Sequence, residues 1–211
     1  MIFAKAPTPG QVKTRLVPVL SEHAAAEVQR QLIERTLGTA MAAAPGPVEL
    51  WCTPATEDAF FAACATRCGI RLRAQGEGDL GMRMSRALEQ AWNAGAHALL
   101  IGCDCPVFSV EYIRQAAAAL DDANDAVFGP AEDGGYVLIG LARKPSPQLF
   151  EGIAWGTATV MDATRARLAQ LNWRWRELAT LWDVDRPADL VRLRRLRDQG
   201  IPDGPTNGAH G

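Results

Sequence analysis

Residues 98–104 read ALLIGCD, and this stretch decides the fold. Four apolar residues in succession, with no polar partner alternating between them, describe a strand covered on both faces, as in the middle of a parallel sheet. The run then ends on an aspartate, followed by Cys105 and Pro106, which stop the strand. A carboxylate at the exit of a buried strand is costly to desolvate without a partner, and a divalent cation is a natural one. Asp104 is therefore the first candidate metal ligand, with helix capping as the competing role.

Outward from this strand the pattern alternates. Short β-rich runs, VELWCT (48–53), IRLRA (70–74), DAVFGP (125–130), YVLIGL (136–141) and NWRWREL (172–178), are separated by alanine-rich helical stretches. That order predicts an α/β sandwich around a largely parallel sheet. Met1–Ala4 forms a first strand stub, short for a core position, as in a chain that has lost a few residues before it. Helices are predicted from an N-cap at Ser21 to about Ala44, near 57–67, from Leu80 to about Ala94, after Ser109, near 157–171 and after Pro187. In the first of these, Val28, Leu32, Ile33, Leu37 and Met41 recur at helical spacing and predict one apolar side. No segment repeats. With 211 residues the chain is read as one domain over 1–201, and the Gly, Pro and Asn of 202–211 as a disordered tail.

Composition narrows the partners. A net charge of −2 lacks the uncompensated Lys and Arg that nucleic-acid binding relies on. No apolar run approaches the roughly 18 to 20 residues that cross a bilayer, and the opening residues lack the pattern of a secretory leader, so a cytoplasmic protein is expected. Five cysteines, an odd number, and three scattered histidines without a CxxC pair argue for free thiols over disulfides or zinc. The oligomeric state is not legible.

In an open α/β sheet, ligands bind beyond the carboxyl ends of the strands, so the segments that follow strands carry the candidate chemistry. The opening loop, AKAPTPGQVKTRL (4–16), places Ala6, Pro7 and Gly10 in a turn whose amides can face an anion, with Lys13 and Arg15 supplying charge and directional donors. It lacks the spacing of a P-loop or dinucleotide fingerprint, and a solvated surface turn is the alternative. In GEGDLGMRM (76–84), Gly78 and Gly81 permit close backbone approach to a ligand, and Asp79 either contacts a ribose or base or caps the following helix. GPAEDGGYVLIGL (129–141) places Glu132 and Asp133 before Gly134, Gly135 and Tyr136, as a turn or as an acidic group beside an approaching acceptor. LWDVDRPADL (181–190) sets Asp183 and Asp185 on one face of an extended segment, where either completes a metal site or caps the last helix. Trp155 is read as an acceptor wall or as core.

Taken in order, FAKAPTPGQVKTRL, GDLGMRM, IGCDCP, GPAEDGGYVLIGL, IAWGT and DVDRPADL resemble the bacterial DUF2064 family of nucleotide-diphospho-sugar transferase-like proteins, also linked to arsenosugar glycosyltransferases. The resemblance extends to about Asp198. It implies a single-domain, Rossmann-like GT-A fold, with a mostly parallel mixed sheet flanked by helices. It also implies a metal-dependent glycosyltransferase using a nucleotide-diphospho-sugar donor and Mg2+ or Mn2+. By the same resemblance Ala6, Pro7, Gly10, Lys13, Arg15, Gly78, Asp79 and Gly81 bind the nucleotide, and Asp104 holds the metal. Lys13 and Arg15 then stabilise the leaving group. Asp133 serves as base, and Gly134, Gly135, Tyr136 and Trp155 face the acceptor. Similarity to small nucleotidyltransferases implies Asp185 as second metal ligand and an alternative reaction, transfer of a nucleotidyl group from an NTP to a phosphorylated substrate. The motif at Asp104 is Asp-Cys-Pro and not the Asp-x-Asp of many GT-A enzymes, and a non-catalytic nucleotide-binding protein is the third reading.

Overall fold

Seven strands form one sheet in the order β3-β2-β1-β4-β6-β5-β7, where β1 is Ile2–Lys5, β2 Glu49–Thr53, β3 Arg71–Ala74, β4 Ala98–Gly102, β5 Ala126–Pro130, β6 Tyr136–Leu141 and β7 Trp175–Glu177. All run in the same direction except β6, which lies antiparallel between β4 and β5. The computed structural model describes residues 1–43 and 45–198, so the tail expected at 202–211 lies outside the described residues.

Side-chain alternation along the strands divides the core into two layers. Ile2, Leu50, Cys52, Ile101, Val127 and Leu138 face one side, where they meet α1 (Glu22–Ala43), α2 (Ala59–Cys68) and α4 (Val110–Asp121). Phe3, Trp51, Leu100, Phe128 and Ile139 face the other, against α3 (Leu80–Asn93) and α5 (Val160–Gln170). Each central strand thus supplies apolar residues to both faces, which is why ALLIG shows no alternation of polarity. The last helix, α6 (Pro187–Asp198), joins a smaller cluster of Leu16, Leu32, Trp182, Val184 and Leu190 beside α1.

The helix start at Ser21 follows the cap read from sequence, Asp79 takes the capping one of its two candidate roles, and Ser109 caps the helix expected after it. The Ser21 hydroxyl accepts from Ala24 N–H at 3.2 Å, Asp79 from Met82 N–H at 2.8 Å and Ser109 from Tyr112 N–H at 3.1 Å. Two expectations need correction. Met41 is 40% exposed, because the buried face of α1 runs through Ala25, Gln29, Leu32, Ile33, Thr36 and Ala40 instead. The strand expected over 172–178 shortens to Trp175–Glu177, because Asn172 turns at φ 53° and β7, among the described residues, is an edge strand paired with β5. That edge is held by Arg165 of α5, whose guanidinium grips both Glu177 oxygens at 2.9 and 2.7 Å.

Candidate functional site

The carboxyl ends of β1, β2, β3 and β4 lie at one edge of the sheet together with the start of the reversed β6. A cleft of about 400 Å3 opens there, lined by Lys5, Gln75, Arg83, Asp104, Asp133, Tyr136, Trp155 and Asp183 among others. A larger cavity of about 480 Å3, reaching the opposite end of the strands, is lined by Glu49, Arg71, Arg73 and His97. Glu49 and Arg73 pair there at 3.1 Å, whereas three aspartates, Asp104, Asp133 and Asp183, line the smaller cleft, which is therefore the candidate site.

In the wall of the cleft Asp104 is held in an ion pair. Lys13 sits in the left-handed region, φ 48°, at the start of a short 3-10 turn. This bend sends its side chain inward to 5% exposure, and Nζ donates to Asp104 Oδ1 and to the Val184 carbonyl, each at 2.7 Å. Burial works against the lysine charge. Asp104, through its charge and hydrogen bond, and to a smaller extent Asp185 oppose it, so the Lys13 pKa stands above the ordinary lysine value. The segment that follows Trp182 is tied to the same place, because Val184 N–H donates to the Asp104 carbonyl at 2.9 Å.

This register separates the two late aspartates. Asp183 faces the cleft; burial, then the charges of Asp133 and Asp104, push its carboxyl up to about 6. Asp185 lies on the rim, paired with Arg15 at 2.5 Å, and its backbone N–H donates to Asp189. The carboxylates that line the cleft are therefore Asp104, Asp133 and Asp183, while Arg15 pairs with Asp185. Glu132 is turned away: Arg192 of α6 grips it at 2.6 and 3.0 Å and stacks on Trp182 at 4.2 Å, fastening the acidic turn to the late segment.

An all-oxygen, under-neutralised set of carboxylates suits a hard divalent cation. Among the described residues no three His, Cys, Asp or Glu side chains stand close enough to hold an ion alone. An ion bound there would find only part of a coordination shell in Asp104 and Asp183 and would take the remainder from water or substrate, as Mg2+ commonly does.

The glycine-rich segments build walls. Arg86 donates to the Gln75 and Glu77 carbonyls at 2.8 and 3.0 Å, and Arg83 to the Gly78 carbonyl at 2.8 Å, which fixes the 75–79 loop. Asp79 caps α3, and Gly78 takes φ 102° against the Met82 side chain. Gly81 lies under Trp155: a Cβ there would stand 2.6 Å from indole Cζ2 and 2.8 Å from Nε1. Trp155 also meets the Tyr136 ring edge to face at 6.3 Å, and its Nε1 is buried without a partner. The Tyr136 hydroxyl lies 4.0 Å from Met84 Sδ, and burial raises its pKa, so this residue offers the cleft a ring and keeps its hydroxyl inside. Asp133 accepts from Gly135 N–H at 2.8 Å, leaving Oδ2 for a ligand. Gly134 packs directly on the Ala158 backbone, Gly10 lies against the Glu22 carboxylate, and Ala6 N–H donates to the Thr53 carbonyl at 2.8 Å, with Pro7 following it in the loop.

Gln75 is the cleft residue the sequence reading passed over, one position before the glycine segment. It is 4% exposed, and its Nε2 donates to the Ala4 and Trp51 carbonyls at 3.2 and 2.9 Å. These two acceptors fix the amide orientation and leave Oε1 as an acceptor at the cleft. A glutamine directly after a strand-like run and directly before the glycine-rich segment was the available signal.

Gly81→Ala is expected to displace the Trp155 indole without unfolding the chain, since alanine favours the first turn of α3 and the obstructing atoms belong to a side chain. The measurement is the Trp155 contribution to fluorescence, taken as the difference on Trp155→Phe in each background. An unchanged contribution contradicts the packing.

An open, mostly parallel sheet with carboxylates and a buried lysine at its ligand edge defines the class of nucleotide-diphospho-sugar transferase folds. The profile of the family described as "Uncharacterized protein conserved in bacteria (DUF2064)" matches residues 36–157, and the chain belongs to this family. A solved structure of a candidate nucleotide-diphospho-sugar transferase from Desulfovibrio desulfuricans G20 is 31% identical, covers 95% of this chain and 87% of that one, and superposes with a TM-score of 0.85. A cytidylyltransferase from Leptospira borgpetersenii shares the fold at 11% identity, 97% and 88% coverage and a TM-score of 0.57. The CMP:2-keto-3-deoxy-manno-octonic acid synthetase complexed with CTP does so at 14%, 95% and 98%, and 0.56. No curated protein matches the sequence. No helix among the described residues is long and apolar enough to cross a membrane.

Proposed function

We propose that the chain is a metal-dependent glycosyltransferase that takes a nucleotide-diphospho-sugar donor. The observation that carries this reading is the meeting, at one strand-end crevice, of Asp104 and Asp183 with Lys13, beside a wall made by Trp155 and Tyr136. The 31% identical Desulfovibrio relative supports the same class. Asp104 and Asp183 hold the divalent cation, Mg2+ or Mn2+, whose chemistry there is to offset the charge of the departing diphosphate, with Asp185 behind them on the rim. Lys13 and Arg15 supply further donors to that diphosphate. Ala6, Pro7 and Gly10 shape the loop that carries them, and the 75–81 loop flanks the nucleoside, with Gln75 Oε1 as an acceptor.

Asp133 takes the proton from an acceptor hydroxyl, as the oxygen so released attacks the anomeric carbon and the bond from that carbon to the diphosphate breaks. Gly135 N–H holds one oxygen of this base and leaves the other free. Gly134 fixes the turn, and Trp155 and Tyr136 present ring surface to the acceptor.

One feature favours a second reading. The carboxylates come from two distant segments, Asp104 after β4 and Asp183 before α6, and not from a single Asp-x-Asp, an arrangement equally suited to nucleotidyl transfer onto a phosphorylated substrate. Incubation with separate panels of nucleotide sugars and NTPs, with and without Mn2+, distinguishes the two. Thermal stabilisation by a nucleotide sugar and release of a nucleoside diphosphate support glycosyl transfer. Pyrophosphate released from an NTP replaces it with nucleotidyl transfer, and binding without turnover leaves a nucleotide-binding protein. Failure of every nucleotide to bind overturns all three.

A further inference from the structure

The seat of Lys13 is built like that of a metal ion. Its Nζ touches a carboxylate oxygen of Asp104 and a main-chain carbonyl oxygen of Val184, each at 2.7 Å, the oxygen types that hard cations take. The two partners are unequally placed: the lysine side chain is 5% exposed and the Asp104 side chain 50%. An incoming phosphate therefore meets the carboxylates of Asp104, Asp133 and Asp183 before it meets the ammonium, and like charges repel it. A lysine shielded in this way cannot recruit a diphosphate while it stays where it is.

We propose that the Lys13 ammonium is a resident substitute for the divalent cation: in the free protein it holds the Asp104 oxygen that the cation would take, and it leaves that oxygen for phosphate when nucleotide and metal arrive together. This inference rests on the metal-dependent reading of the site. Lys13 is suited to the exchange because its long side chain springs from a loop residue at φ 48°, beyond the end of β1 and before α1, so the ammonium can swing without moving a strand. The consequence is a binding order. Metal alone must compete with an internal cation, and nucleotide alone must approach carboxylates, so each binds weakly by itself. Each then raises the affinity of the other by the same factor, as linkage requires. The device keeps the site from filling with metal, or with free phosphate, before a donor is present.

Binding of Mn2+ alone, followed by the loss of the free-ion electron paramagnetic resonance signal, tests the exchange without reference to turnover. Lys13→Met is expected to bind Mn2+ at least tenfold more tightly than the wild type, because the competing charge is gone while the oxygens remain. Lys13→Arg, which keeps a cation on the same loop, is expected to stay weak. In the double variant Lys13→Met with Asp104→Asn the gain is expected to vanish, which assigns it to this seat. Thermal melts monitored by circular dichroism establish that each variant is folded at the temperature of the titration. Equal or weaker Mn2+ binding by Lys13→Met overturns the exchange, since Lys13 would then position Asp104 and not compete for it. If neither protein binds Mn2+ and the wild type turns over a donor without metal, the metal-dependent reading falls with it. If the wild type binds Mn2+ tightly alone, only the exchange falls.

Discussion

Asp104→Asn is expected to lower turnover by about a thousandfold, equivalent to about 4 kcal/mol of lost transition-state stabilisation. Asparagine keeps the shape of the side chain and an oxygen that can accept from Lys13, so the loss falls on charge and not on packing. The stability effect is smaller and has a separate cause. Lys13 is nearly buried, and replacing its charged partner leaves the ammonium with neutral acceptors only, the Val184 carbonyl among them. Leaving a buried charge without its counter-ion is unfavourable. The half-exposed position of Asp104 admits water, however, and the expected loss is about 1 to 2 kcal/mol, a fall of roughly 3 to 6 °C in Tm for a chain of this size. The variant is therefore folded at 25 °C, where turnover and Tm are measured on the same preparation. Activity retained above a tenth of the wild-type value would remove Asp104 from the centre of the mechanism. A change at Asp185, which faces Arg15 on the rim, is expected to cost less than the same change at Asp183.

The contrast between Asp183 and Asp185 marks the boundary of what the sequence could tell. An apolar run ending in an aspartate located β4 and its carboxylate, because burial on both faces leaves a direct mark on polarity. The cap at Ser21 was legible for a similar reason, since a cap acts within three residues of itself, and capping was one of the two roles open to Asp79. The Asp-Val-Asp segment was recognised as acidic, but which aspartate enters the cleft depends on the hydrogen bond from Val184 N–H to the Asp104 carbonyl, a contact across the whole fold. The same holds for Lys13. Its charge was visible and its pairing was not, because the left-handed bend at a lysine leaves no trace in residue type. Gly81 and Gly134 read as ligand-facing glycines, and the missing side chain at each also makes room for Trp155 and for the Ala158 backbone. Small residues that admit a ligand and those that admit another part of the chain read alike in one dimension.

Gly134→Ala is expected to be the most damaging single-methyl change at the site. Gly134 has φ 89°, and a Cβ there would lie 2.1 Å from the Ala158 carbonyl oxygen, 2.6 Å from its carbon and 2.7 Å from its Cα. All three are backbone atoms, so no rotamer change relieves the contact, and the acidic turn must separate from the 154–159 segment. That separation stretches the hydrogen bond from Met161 N–H to the Gly134 carbonyl, 2.8 Å, at the start of α5. It also shifts Asp133 next door. Strain at positive φ, lost packing and a weakened hydrogen bond together place the cost at about 3 to 5 kcal/mol, or roughly 10 °C in Tm. Gly156 is the internal control. It has a similar φ of 78°, but a Cβ there meets nothing within 4 Å, so Gly156→Ala bears only the backbone strain, about 1 kcal/mol. Equal losses in the two variants would mean that the Ala158 contact has no energetic weight. The expected inequality makes the turn holding Asp133 a rigid part of the site, fastened by Gly134 to the segment that carries Trp155.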